Sequence, residues 1–282
     1  MIRVGLAGWG DHDELYPPGT SAKDKLRKYS IHYPIVEVDS TFYAIQSADR
    51  FARWEEETPP SFQFIVKAYQ GMTGHQRGAL NNGNASSMFE AFRESIRPVI
   101  EAGKLTAALF QYPPWFDCTR DNVRILRETK ERMEGIPCAL EFRHQSWFTD
   151  AYKEKTLTFM KEESWIHSIC DEPQAGQGSV PTVLQATHPE ITMIRMHGRN
   201  TTGWNQGSAP NWREVRYLYK YNNDELLEWK SHILQLQEQT KQICVIFNNN
   251  SGGDAAGNAK ELMELLGLEI PDIPKQLDLF ST

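Results

Sequence analysis

Short apolar runs recur along the chain, and between most of them the apolar positions switch to helical spacing. The runs cover residues 2–10, 35–43, 61–69, 105–113, 138–144, 165–173, 191–198 and 242–250. Helical spacing and caps predict helices over residues 21–33, 48–57, 87–102, 119–133, 150–163 and 224–240, with Ser21 and Asp224 as N-caps and Gly103 as a C-cap. A last helix opens at the glycines after Ser251. The runs are close to continuously apolar, which marks parallel strands covered on both faces. Eight strand–helix units in 282 residues fit a closed barrel better than an open doubly wound sheet. No G-x-G-x-x-G or P-loop sequence follows the first run, which weakens the open sheet further. The expectation is an α/β fold, a (β/α)8 TIM barrel, as a single domain over residues 1–270. Residues 271–282 form a short exposed C-terminal tail with two prolines.

Composition changes this picture little. A hydrophobic share of 40% can fill such a core, and a net charge of −7 argues against a general nucleic-acid coat or an anionic membrane surface as partner. No basic-apolar leader opens the sequence, and no apolar run is long enough to span a bilayer. Four cysteines without metal-ligand spacing read as buried, reduced thiols. A cytoplasmic protein is expected.

The chemistry gathers at the C-terminal ends of the runs. Asp39 ends the second, Lys67 the third and Gln111 the fourth. Glu141, Arg143 and His144 end the fifth, Asp171 the sixth, Arg195 and His197 the seventh, and Asn248 and Asn249 the eighth. In barrels of this class the active site is built at that face from several strands. A salt-bridged interior, Glu141–Arg143–Arg195, is the structural alternative.

Three chemistries fit the ring. Glu141, Asp171 and His197, with Glu37 or Asp39, have the donor types for a divalent metal that activates water. Glu141 and Asp171 can instead serve as an acid–base pair while Arg143 and Arg195 clamp an anionic group. A Schiff base on Lys67 is the third. Asp39, Asn248, Asn249, Trp204 and Tyr219 complete the expected substrate contacts. Trp204, Trp212, Tyr217, Tyr219 and Tyr221 supply a stacking lid, and Ser251-Gly252-Gly253 a phosphate nest. The leading expectation is a hydrolase acting on a phosphate- or sugar-bearing substrate, including a nucleic-acid-derived one. The alternative is a non-catalytic binding module or a DNA-maintenance accessory protein.

Five segments carry a resemblance: VEVDSTFY (36–43), LFQYPP (109–114), LEFRHQSWF (140–148), RMHGRN (195–200) and IFNNNSGGDAAGNA (246–259). In order and spacing they resemble the YecE-like family, a bacterial domain of unknown function with a TIM-barrel fold. The resemblance covers residues 1–270. It implies the barrel and a polar site at the strand ends, and it supplies no reaction. One departure is Asn250, where the family pattern leads one to expect His. Separately, Gln276, Leu277, Asp278, Leu279 and Phe280 resemble the short peptide by which bacterial DNA-maintenance proteins dock on the replication sliding clamp. Gln276 would make polar contacts while Leu277, Leu279 and Phe280 fill an apolar pocket.

Overall fold

Each apolar run folds into a strand. The eight strands pair in parallel in chain order, and the last closes on the first, with Ile2 opposite Ile243 and Leu6 opposite Phe247. The computed structural model describes residues 1–76, 85–204 and 215–269. The strands are β1 (Ile2–Ala7), β2 (Ile35–Val38), β3 (Gln63–Lys67), β4 (Leu105–Gln111), β5 (Cys138–Glu141), β6 (Ile166–Asp171), β7 (Ile191–Met196) and β8 (Gln242–Phe247). The helices are α1 (Lys25–His32), α2 (Ala48–Glu56), α3 (Ala85–Glu101), α4 (Arg120–Arg132), α5 (Lys153–Glu162), the single turn α6 (Thr201–Trp204), α7 (Asn223–Leu236) and α8 (Asp254–Leu265).

The protein is thus a single-domain (β/α)8 barrel. Most strands are shorter than their apolar runs, because the polar residues at their ends leave the ladder and turn into the loops that build the mouth. Some caps shift as well. Asn222, not Asp224, caps α7: its side chain accepts from Glu225 N, and Glu225 reaches back to Asn222 N. A short 3-10 turn (Ala22–Asp24) separates Ser21 from α1. Gly103, with φ +68°, closes α3 as the sequence indicates.

Strand alternation divides the buried side chains into two cores. Val4, Val36, Phe64, Phe110, Leu140, Ile194 and Val245 point outward into the layer between sheet and helices. Ile35, Ile65, Leu109, Ala139, Ile166, Met193 and Ile246 point into the barrel lumen and plug it. The lumen is apolar at its floor. At its C-terminal end the same parity brings in Glu37, Lys67, Gln111, Glu141, Arg143, Ser168, Arg195, His197 and Asn248. At β1 the close approach to β2 admits only glycine: a Cβ on Gly5 would sit 2.0 Å from the carbonyl oxygen of Ile35. Gly5→Ala is therefore expected to cost at least the upper part of the overpacking range, about 1–3 kcal/mol. The check is a lower denaturant midpoint at unchanged slope.

Among the described residues, no helix is long and apolar enough to cross a membrane. Trp212 and the tail residues Gln276, Leu277, Leu279 and Phe280 lie outside the described residues.

Candidate active site at the barrel mouth

The mouth is floored by five buried side chains, three carboxylates alternating with two guanidiniums. Arg195, from β7, faces β2 with a forked contact: Nε donates to Glu37 Oε2 at 2.8 Å and Nη2 to Glu37 Oε1 at 2.7 Å. Its third nitrogen, Nη1, donates to Glu141 Oε2 at 2.9 Å. Glu141, from β5, also accepts from Gln111 Nε2 at 2.9 Å, Arg143 Nη1 at 3.1 Å and Ser168 Oγ at 3.2 Å. Arg143 Nη1 lies a further 2.6 Å from Glu172 Oε2, and Glu172 Oε1 accepts from Val180 N at 2.7 Å. The chain Glu37–Arg195–Glu141–Arg143–Glu172 crosses the lumen with each charge facing an opposite one, which makes its burial tolerable.

This pairing sets the protonation states. Burial by itself would push Glu141 up, but Arg195, His197 and Arg143 outweigh it and hold the carboxyl well below its usual range. Burial pushes Glu172 up to about 7 against the pull of Arg143 and the Val180 amide. His197 is held at about 3 by burial and by the Arg195 and Arg143 guanidiniums, so its imidazole is neutral. Asn248 Nδ2 lies 3.0 Å from its Nδ1, and Glu141 Oε1 lies 3.5 Å from its Nε2. Glu141 and His197 are therefore poor carriers of protons at neutral pH. They hold the floor in place.

Several expected site residues sit elsewhere. Asp171 points outward from β6 and pairs with Arg199, whose Nε is 3.0 Å from both carboxylate oxygens. The acid that enters the lumen is its neighbour Glu172, in phase with Ser168; counting that parity along the strand is the signal that finds it. Asn249 is buried beneath the mouth, donating to Tyr219 O at 2.8 Å and Asn258 Oδ1 at 3.0 Å, and so ties the loop before α7 to α8. Tyr219 donates from its hydroxyl to Glu225 at 2.5 Å, and Tyr221 accepts from Gly198 N at 2.8 Å. Both are packing residues and not a lid. Trp204 is buried, with Arg143 over one indole contact at 4.8 Å and Arg216 at 4.0 Å. It fixes the guanidiniums in place and does not stand open for stacking. His144 caps the turn after β5 through Ser146. At the glycine turn, Gly253 N already donates to Asn250 O at 3.1 Å, and Asp254 occupies the first turn of α8. An anion there would meet a carboxylate.

Above the floor opens a cavity of about 580 Å³. Its walls include Asp39, Phe42, Lys67, His75, Arg143, Arg216, Tyr217, Asn248 and Asn250. His75 is neutral: burial and the nearby Lys67 and Arg143 hold it at about 4. Lys67 differs from the arginines. Among the described residues no carboxylate lies within ion-pair distance of its Nζ, which rests 4.6 Å from the centre of the Phe42 ring. Burial, then the Arg195 charge, lowers the amine to about 8.

A metal finds poor support here. Glu141, Cys170 and His197 bring one donor atom each within 4.8 Å of one another. Both Glu141 oxygens are already taken, and Arg195 Nη1 lies 3.3 Å from His197 Nε2. A dication would sit against guanidinium, so the residues do not fit one.

Fold and floor together define a (β/α)8-barrel protein with an ion-paired mouth. The chain belongs to the family described as Protein of unknown function DUF72, whose model matches residues 3–278. The UPF0759 protein YunF of Bacillus subtilis (strain 168) is 57% identical over 282 residues, covering 99% of this chain and 100% of that one. The UPF0759 protein YecE of Escherichia coli O157:H7 is 24% identical over 216 residues, covering 69% of this chain and 74% of that one. The crystal structure of a DUF72 family protein from Enterococcus faecalis V583 superposes with a TM-score of 0.90 at 37% identity, covering 99% of this chain and 100% of that one.

Proposed function

We propose that the barrel mouth is an active site for a small phosphate- or sugar-bearing molecule, and that Lys67 is its proton-transfer group. The observation behind this is the contrast among the buried cations. Arg195 spends every guanidinium nitrogen on a carboxylate, and Arg143 is pinned between two, whereas Lys67 faces the cavity with an aromatic ring as its near neighbour. Hydrolysis is the reaction class proposed, with Lys67 taking the proton of the attacking water in the role first read for Glu141. Asp39 lines the same cavity beside it, its carboxyl raised by desolvation and by the Glu37 carboxylate, and the protonated Lys67 itself returns the proton to the leaving group. Arg143 and Arg216 line the side where an anionic group would rest.

The test is a panel of phosphomonoesters, phosphodiesters and aryl glycosides offered to the full-length protein and to Lys67→Met. Turnover by the wild type that the variant loses supports the reading. Turnover shared equally by both, or none across the panel, removes it.

The tail carries a separate proposal. Its Gln276–Phe280 segment would recruit the protein to the replication sliding clamp. Clamp captured by the wild type but not by a Leu279→Ala, Phe280→Ala variant supports it, and equal capture by both sinks it.

A further inference from the structure

The position of Lys67 carries a second consequence. It is the last residue of β3, in phase with the lumen residue Ile65, so its side chain rises from the wall of the barrel into the cavity. Its stem is fixed from below: Thr41 Oγ1 donates to the Lys67 carbonyl at 2.6 Å, and the Phe42 ring from the same segment covers the amine. Glu37 lies beneath, but both its oxygens are committed to Arg195. An amine held in this way, beside an open space of about 580 Å³, has the setting of a nucleophile and not that of a charge partner.

We infer that Lys67 forms an imine with a small aldehyde or ketone that carries a carboxylate or phosphate. This goes beyond hydrolysis. It rests on Lys67 as the reactive group of the mouth, not on the identity of the leaving group.

The step balances without an oxidant or reductant. The nitrogen lone pair attacks the carbonyl carbon, the C–O π bond opens, and a proton passes from nitrogen to oxygen to give a carbinolamine. The C–O bond then breaks, the hydroxyl leaves as water with a proton from a neighbouring acid, and the nitrogen lone pair closes the C=N bond. Asp39 is the acid placed at the cavity for that proton. Arg143 and Arg216, which line the same cavity and pack on Trp204, face the anionic end of the molecule. The Phe42 ring keeps water from the amine on one side.

At pH 7 an amine lowered to about 8 is neutral on the order of 10²-fold more often than an ordinary lysine. The experiment uses the full chain with pyruvate or dihydroxyacetone phosphate as probe and cyanoborohydride to reduce any imine, followed by peptide mapping. The expected result is a gain on Lys67 equal to the probe's mass less one oxygen. It should form on the order of 10²-fold faster than on a lysine with the ordinary amine value. Lys67→Arg, folded as judged by circular dichroism, should lose that adduct and keep only the slow surface labelling. Labelling confined to surface lysines in the wild type overturns the inference. Trapping on Lys67 with no hydrolytic turnover upholds the imine and removes hydrolysis. Turnover that needs Lys67 with no trapping does the reverse.

Discussion

Glu141→Gln is expected to lower the stability of the barrel by about 3–5 kcal/mol, the range for breaking a buried ion pair while leaving its partner charged. The substitution keeps the shape of the side chain and removes its charge. Arg195 and Arg143 would then share only Glu37 and Glu172, and the new amide would turn N–H groups toward one of them. Four donors now converge on the carboxylate, from Gln111, Arg143, Ser168 and Arg195. An amide oxygen cannot accept them all. For a domain of this size the loss corresponds to roughly 10 °C in Tm. Glu94→Gln is the control: its pair with Arg97 is on the surface, the Glu94 side chain being 61% exposed, and its removal should shift stability by less than about 0.5 kcal/mol. A Glu141→Gln protein as stable as wild type would mean that the floor is not held by charge.

Lys67→Met should cost rate and not stability. Removing a general base costs about 10²–10⁴-fold in rate. Stability should hold or rise. Lys67 is lowered from its ordinary value by burial, so the folded protein is penalised wherever the amine is protonated, which is below about 8. Wild-type stability should accordingly rise with pH from about 8 toward the ordinary lysine value near ~10.4, and Lys67→Met should lack that rise. The wild-type rate should climb about tenfold per pH unit and level off above about 8, since the neutral amine is the active form. The charged groups acting on Lys67 are Arg195, Glu37, Glu141 and Asp39, and His75 and Arg143 line the same cavity. His75 is neutral throughout that climb and both arginines stay charged, but Glu172, at about 7, ionises within it; a limb that keeps its midpoint near 8 in Glu172→Gln belongs to the lysine. A merely structural lysine would show lost stability together with lost rate.

The barrel could be read from the chain because its evidence is local. A run such as LTAALFQ in β4 is apolar on both faces, and only a strand covered on both sides needs that. Period-two alternation also puts Glu141 and Arg143 on one face. It failed at the ends of strands, where phase is lost: Asp171 and Glu172 are adjacent acids, and Ser168 decides which one enters the lumen. Asn248 and Asn249 divide in the same way. Partner choice was harder still. Arg195 selects Glu37, 158 residues distant, with a forked contact, and only that choice leaves Lys67 unclaimed. The aromatic loop misled for a related reason. Residue type made Trp204 and Tyr219 look like a lid, while packing made Trp204 a wedge between guanidiniums and tied Tyr219 to Glu225.

The chemistry proposed for the mouth depends on one amine. Competitive labelling of the native protein with acetic anhydride across pH, read by peptide mapping, gives the titration of each lysine separately. Lys67 should titrate with a midpoint near 8, well below the ordinary lysine value near ~10.4. A Lys67 midpoint at the ordinary value would show a charge partner instead of a reactive group, and would contradict the active site described here.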